Sequence, residues 1–473
     1  MIAPEALHPH AATGERVYLD HAATSPLRPA VAEAMAPWWN GCFGNAASGH
    51  AEGQRARVAL REARAHVADL VGAEPGEVVF TSGATEANNL AVRGGAHARR
   101  NGGKRLVATR IEHAATRAAC EEMAVAGWHV TLLGVDGTGR VHAGELEAIT
   151  HGTAVVSVIA GHNELGTIQP LSAIAEAAHR VGALFHIDAV QAAGYLDLGA
   201  IPWDLCSLSA HKLGGPQGVG ALVRRGLPAI SPLVVGGSQE GGLRPGTVPM
   251  ALVVGFGAAA AAVAASRAAE AARLGRLRAQ LAQAIEGRLP LRRLGGTGDQ
   301  ALPHILSYGL AGVSGEELVH WLDRAGLSVS SSSACLSGAR SPVLDAIGLA
   351  GDQTMLRLSL GWSTDEAALA PVPDRLTRLV ERLLAMPAFD RRGGPFAQRA
   401  EEAGLELTDA HWEAAEGLFD YYQAEGVLPG ARALARRVPH GARLEALFPY
   451  GLSTLAYWLG LPIPRGGCRP YAG

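Results

Sequence analysis

Leu205-Cys206-Ser207-Leu208-Ser209-Ala210-His211-Lys212-Leu213-Gly214-Gly215-Pro216 begins as an apolar run and ends in a tight glycine turn, with a lysine at the junction. It reads as a buried strand that delivers Lys212 to its end. Of the 41 basic residues in this 473-residue chain, only Lys104 and Lys212 are lysine, so chemistry that needs a neutralisable primary amine has two side-chain candidates. Lys104 lies in Arg100-Asn101-Gly102-Gly103-Lys104-Arg105, a solvated turn. A Schiff-base lysine in this chain is therefore Lys212.

Twenty-four residues upstream, Leu184-Phe185-His186-Ile187-Asp188 puts a carboxylate at the end of another apolar run. Asp188 there either caps a following helix or pairs with a protonated ring nitrogen of a bound cofactor. Further upstream, Val79-Phe80-Thr81-Ser82-Gly83-Ala84-Thr85-Glu86-Ala87-Asn88-Asn89 reads as a strand, a small-residue turn and a helix start. The free amides of that start, with the Thr85 hydroxyl, suit a phosphate.

From Val17 to about Gly226, short apolar runs alternate with helical stretches: Val78–Phe80, Leu106–Ala108, Val155–Ile159, Leu184–Ile187 and Ala221–Val223. Such alternation gives a parallel sheet with helices on both faces and ligands at the carboxyl ends of its strands. A long helix is expected from about 257 to 288, then a smaller mixed subdomain from His304 to Ala385. The Pro- and Gly-containing stretch Met386–Pro395 reads as a linker, and about 78 helical residues follow. The expected units are a tail at 1–16, a large domain at 17–262, a small domain at 263–388, a linker at 389–395 and a C-terminal domain at 396–473.

A net charge of −3 and 18% charged residues argue against a nucleic-acid or membrane-surface binder, and 48% hydrophobic residues exclude wholesale disorder. No charge occurs between Arg244 and Arg267, but the segment is Ala- and Gly-rich and broken by Pro245 and Pro249, which points to a buried helix rather than a membrane span. Five scattered cysteines without a Cys-x-x-Cys fit neither a disulfide framework nor a metal knuckle. Together with an N-terminal stretch that reads as no secretion signal, they lead us to expect a protein of the reducing cytoplasm.

Lys212, Asp188 and the turn at 81–89 combine with Tyr18-Leu19-Asp20-His21-Ala22-Ala23-Thr24, Glu112-His113, Asn163-Glu164-Leu165-Gly166, His186 to Gln191, Arg244 to Thr247 and Arg357-Leu358-Ser359. This set resembles the NifS/IscS-type cysteine desulfurases of the class V aminotransferase group, over roughly residues 17 to 388. The resemblance implies a fold type I pyridoxal phosphate (PLP) transferase: a large domain with a mixed, mostly parallel sheet, a smaller α+β domain, and here a helical C-terminal domain. It implies that Lys212 carries PLP and that Asp188 pairs with the ring nitrogen. Gln191 and Asn163 would contact the ring oxygen region, and His113 would stack on the ring and move protons. Ala84, Thr85, Ser209 and His211 would hold the phosphate, with Thr247 reaching it from the partner subunit of a homodimer. Arg357, with Asn163 beside it, would take the carboxylate of L-cysteine.

Cys335 decides the reaction. It sits in Ser330-Ser331-Ser332-Ser333-Ala334-Cys335-Leu336-Ser337-Gly338, a small polar run that predicts an accessible loop thiol, whereas Cys206 and Cys120 fall in apolar and helical runs and Cys42 in a Gly/Asn loop. In the family this position is the nucleophile that takes sulfur from cysteine as a persulfide and leaves alanine. Selenocysteine lyase or another class V activity is the alternative enzyme, and a carrier scaffold with a degenerate enzyme half is the alternative of a different class.

The C-terminal segment from about Pro395 resembles TusE/DsrC-type sulfur carriers, whose near-terminal cysteine accepts a persulfide and aligns with Cys468. Tyr457 stands where some members carry a second cysteine, which favours a relay toward a tRNA-thiolating enzyme over an internal disulfide switch. From Gly430 to Gly473, six arginines and one acid give net +5, which fits either a solvated helix surface or a face for an acidic protein or an RNA-bound enzyme.

Overall fold

The computed structural model describes residues 16–331, 341–351, 353–386, 388–425, 428–429, 444–448 and 451–461. Cys335 and Cys468 lie outside the described residues.

The strands of the enzyme half are β1 (Val17–Tyr18), β2 (Val78–Thr81), β3 (Arg105–Thr109), β4 (His129–Leu133), β5 (Thr153–Ile159), β6 (Leu184–Asp188), β7 (Leu205–Ser209), β8 (Gly220–Arg224), β9 (Arg292–Leu294), β10 (Ile305–Ala311), β11 (Leu327–Ser328), β12 (Ser330–Ser331) and β13 (Gln353–Ser359). Seven form one sheet in the order β2-β8-β7-β6-β5-β3-β4. All neighbours run parallel except β8, which is antiparallel to both β2 and β7. The inner strands are apolar on both faces because helices cover both. Val156, Phe185 and Cys206 enter one core, while their chain neighbours Val155, Leu184 and Leu205 enter the other.

The helices of this lobe are α1 (Pro29–Asn40), α2 (Ala51–Val71), α3 (Ala84–Asn89), α4 (Gly95–Arg99), α5 (Ala114–Val125), α6 (Leu171–Arg180) and α7 (Met250–Ile285). α7 is long and apolar enough to cross a membrane by length and composition. In this fold it packs along α1 and α2, so close that a Cβ at Gly257 would lie 2.5 Å from the Ala63 backbone. The domain boundary expected at 262/263 falls inside this helix, whose first half lies in the large-lobe core and whose second half, from Leu274, lies in the small-lobe core.

The small lobe is an antiparallel sheet, β12-β13-β10-β9, with α8 (Gly315–Arg324), α9 (Pro342–Ala346), α10 (Glu366–Leu369) and α11 (Val372–Ala385). Residues 17–19, expected to open the large domain, belong here instead: β1 pairs in parallel with β11, and Val17 and Leu19 are buried in the small-lobe core.

The C-terminal unit has α12 (Ala388–Glu402), α13 (Asp409–Glu425), α14 (Leu444–Leu447) and α15 (Leu452–Trp458) around Phe396, Leu418, Phe448, Leu455 and Trp458. The linker expected at 389–395 is not a linker: helix α12 runs through it with Pro395 inside. Packing of Phe396 and Ala400 into the C-terminal core overrides the local propensity of Gly393, Gly394 and Pro395.

Candidate active site

The carboxyl ends of β6 and β7 and the starts of α3 and α5 open on one cavity of about 650 Å³. Its wall carries Ala84, Thr85, His113, Asn163, Asp188, Gln191, Ser209, His211 and Lys212, so nine of the sequence-derived site residues meet at one place.

Lys212 ends a single 3₁₀ turn, Ala210–Lys212, that follows β7 directly. Its Nζ donates to the carbonyl of Ala22 at 2.6 Å and to that of Ala23. Burial and the nearby Arg357 guanidinium push the amine down to about 8, against the opposing pull of Asp20 and Asp188. Its neutral, nucleophilic form is thus far more accessible than in water.

Asp188, the last residue of β6, is buried and held from two sides. Asn88 Nδ2 donates to Oδ2 at 2.7 Å, and the Val190 amide donates to Oδ1 at 3.1 Å. Asn88 Oδ1 is itself buried and finds no partner among the described residues. Gln191 lines the cavity but is tied at both ends: Nε2 donates to Ala22 at 2.8 Å, and Oε1 lies 3.1 Å from His304 Nε2, whose ring stacks on Tyr195 at 4.0 Å.

His113 is the N-cap of α5, with Nδ1 accepting from the Ala115 amide at 3.1 Å. In that bond Nδ1 is the acceptor, which assigns the ring proton to Nε2. Glu112 beside it is fully buried, with Oε1 accepting from Thr109 Oγ1 at 2.7 Å and the Ile159 amide at 3.1 Å; burial pushes the carboxyl up to about 8.

The loop bearing Asn163 is pinned by His162, which bonds the Ile111 carbonyl through Nε2 at 2.9 Å and accepts the amides of Glu164 and Leu165 through Nδ1 at 3.1 Å each. Burial pushes this imidazole down to about 4, so it stays neutral. His211 Nδ1 sits 3.0 Å from Thr24 Oγ1, and its ring, pushed to about 4 by burial and by Lys212, is also neutral.

Arg357, expected to bind the substrate carboxylate, is not among the residues that line the cavity. The side chain is 7% exposed, donates to the Asn163 carbonyl at 3.0 Å and pairs with Asp20 Oδ1 at 2.7 Å, while Nε has no partner among the described residues. Thr247 is exposed on the loop before α7 and does not line this cavity. Lys104 is exposed, as its turn predicts. Cys120 and Cys206 are buried, with burial pushing the first thiol up to about 12 and the second higher still, so neither supplies a thiolate; Cys42 is half-buried.

PLP fits this donor set. A strand-end lysine with a depressed pKa and a doubly held carboxylate line the same cavity, and Gly83 at φ 157° caps α3 without a side chain, where the first-turn amides lack intrahelical partners. Sequence reasoning missed Asn88, His162, His304 and the Ala22 and Ala23 carbonyls. Asn88 was within the quoted turn, but only the fold shows it reaching Asp188.

Residues 17–370 match the family described as aminotransferase class-V, and residues 395–468 match DsrC like protein. A cysteine desulfurase IscS from Dictyoglomus turgidum is 38% identical over 380 residues, covering 79% of this chain and 96% of that protein. A putative cysteine desulfurase, IscS 1, from Bacillus subtilis is 38% identical and covers 78% of this chain and all of its own. Among solved structures, a NifS-like protein superposes with a TM-score of 0.73 at 31% identity, over 78% of this chain and all of the other. SspA in complex with cysteine does so at 0.64 and 34% identity, over 73% and 98%.

Proposed function

This chain belongs to the class-V aminotransferase family, among its cysteine desulfurases, and carries a DsrC-like domain at its C-terminal end; on that premise we propose that sulfur drawn from L-cysteine onto Cys335 is handed to Cys468 of the fused domain. The observation that carries the enzyme reading is the convergence of Lys212, Asp188 and His113 on one cavity. PLP bound there supplies an electron sink that makes the bonds around the substrate Cα, and with them the Cβ–S bond, cleavable.

The remaining work falls to side chains. Asn88 and the Val190 amide hold the Asp188 carboxylate, which would pair with the ring nitrogen of bound PLP. The depressed Lys212 amine takes and returns protons, and His113 offers Nε2 for the same task. Arg357 receives the substrate carboxylate in exchange for, or alongside, Asp20, and the Asn163 carbonyl fixes the guanidinium. Cys335 attacks the substrate sulfur: an S–S bond forms as the Cβ–S bond breaks, and the electron pair left on carbon takes a proton to give alanine. The Cys468 thiolate then attacks the outer sulfur of the Cys335 persulfide, so that one S–S bond forms, one breaks, and Cys335 leaves as a thiolate with no external oxidant. The onward acceptor we propose is a tRNA-thiolating enzyme, in a cytoplasmic, homodimeric setting.

Peptide-resolved mass spectrometry after feeding cysteine tests the relay. One added sulfur is expected on the peptide holding Cys468, and none in a Cys335→Ser chain. Sulfur on Cys335 with Cys468 unlabelled refutes it. Lys212→Ala is expected to remove the bound cofactor's visible absorbance and to lower alanine formation on the order of 10³-fold or more.

A further inference from the structure

The C-terminal domain meets the enzyme on one face of α8. Arg399, on α12, reaches both ways. Its Nη2 pairs with Glu316 Oε2 at 2.5 Å, and its Nη1 donates to the carbonyls of Tyr457 at 2.7 Å and Trp458 at 2.9 Å, the last residues of α15. Arg392, on the same helix, repeats the arrangement with Nε 3.5 Å from Glu317 Oε1 and Nη1 on the Leu459 carbonyl. Gln398 Oε1 lies 2.8 Å from His320 Nδ1. The helices approach so closely that a Cβ on Gly394 would fall 2.6 Å from His320 Nε2 and 3.0 Å from the Trp321 ring.

These are not ordinary surface pairs, which contribute little. The side chains of Arg399 and Glu316 are 18% and 26% exposed, and those of Arg392 and Glu317 19% and 5%. Each guanidinium also binds carbonyls at the C-terminal end of α15, Arg399 those of Tyr457 and Trp458 and Arg392 that of the capping residue Leu459, so each arginine joins that helix end to α8. Removing either side of such a pair strands a sheltered charge.

We infer that Arg399 and Arg392 latch the DsrC-like domain to α8 of its own enzyme, so that Ser331 and Leu461, the described residues from which the chain runs on to Cys335 and to Cys468, are held beside one helix of the same chain, an inference that rests on the proposed relay. Ser331, in a strand that packs on α8, precedes Cys335 by four residues, and Leu461, three residues past α15, precedes Cys468 by seven. Four and seven residues span at most about 14 and 25 Å. β12 packs on α8, and Gly460, the residue before Leu461, lies so near it that a Cβ there would fall 2.8 Å from Glu316 Oε2, so both tethers start beside the same ten-residue helix, about 15 Å long, which the two together can span within one chain.

Arg399 and Glu316 are positioning residues, and their test separates docking from chemistry. Full-length holoenzyme carrying E316A, R399A or both is compared with wild type by three readouts: alanine formation with dithiothreitol as sulfur acceptor, the single-turnover rate of sulfur arrival on Cys468, and hydrogen exchange in α8 and α15. Alanine formation is expected within about twofold of wild type, while sulfur arrival slows about tenfold in each single variant as the local concentration of acceptor falls. The double variant is expected to be no slower than the slower single one, because both remove one interaction. Amide protection is expected to fall in α8 and α15 together. Unchanged protection with unchanged or additive transfer rates overturns the latch. If R399A unfolds the C-terminal domain, E316Q, which leaves Arg399 with its carbonyls, decides the matter by the same readouts. Absence of sulfur on Cys468 in wild type refutes the relay itself, whereas the exchange experiment still judges the latch.

Discussion

Glu112 shows how burial, helped by the Asp188 carboxylate, can set a charge state next to a proton-handling histidine. Its carboxyl is pushed up to about 8 by desolvation, against the lowering pull of Thr109 and the Ile159 amide, so the native protein holds it protonated at neutral pH. Because the folded pKa is raised above the unfolded value, the stability this group confers is complete below about 4.5 and is lost as pH rises toward about 8. Glu112→Gln stays neutral throughout. Relative to wild type, the variant is expected to gain on the order of a few kcal/mol between pH 5 and 8, read by thermal or urea denaturation across that range. A difference between the two that does not change with pH contradicts the assignment. Asn88 supports a second expectation: Asn88→Ala removes the hydrogen bond to Asp188 and should weaken PLP binding by about tenfold, measured by titrating the apoenzyme. Lys212 and Asp188 were legible in the sequence because lysine is scarce and strand ends are recognisable. Asn88, His304 and the Ala22 carbonyl were not, because their partners lie 100 or more residues away and leave no local mark.

Helix α12 is where local propensity and tertiary packing disagree most. Pro395 removes one backbone bond, and two glycines precede it, yet the helix continues because Phe396 and Ala400 reach the C-terminal core and Gly394 lets α8 come close. Gly394→Leu must push His320 and Trp321 away, at an overpacking cost of roughly 1–3 kcal/mol. The expected signature is an earlier unfolding transition of the C-terminal domain in calorimetry, with the cofactor's visible absorbance melting at its original temperature. A single transition that moves as a whole shows instead that the two units unfold together. Elements with continuous apolar runs, β2, β5, β6 and β8, could be read directly from the sequence. The edge strand β4 could not, since only its last residue, Leu133, is buried, and β1 is too short to carry a pattern and exists only through its pairing with β11.

At the scale of the whole molecule, the two enzyme lobes and the appended carrier were legible in sequence, but the seating of the carrier was not, because it turns on pairs such as Glu316 and Arg399, 83 residues apart. That seating decides between two routes for sulfur in the proposed homodimer. If each C-terminal domain is latched to its own α8, sulfur from one Cys335 reaches only the Cys468 of the same chain. Co-expressing Cys335→Ser chains with Cys468→Ser chains separates the routes, since every mixed dimer then holds one working donor and one working acceptor on different chains. Random pairing makes half of the dimers mixed, each with one of the two possible crossed paths, so transfer between subunits would load Cys468 to roughly a quarter of the wild-type level. The latch on α8 predicts loading at background instead, with alanine still produced by the chains that retain Cys335. Sulfur on Cys468 in the mixture would mean that the acceptor arm crosses to the neighbouring subunit, and that the ion pairs of Arg392 and Arg399 hold the domain in place without choosing its donor.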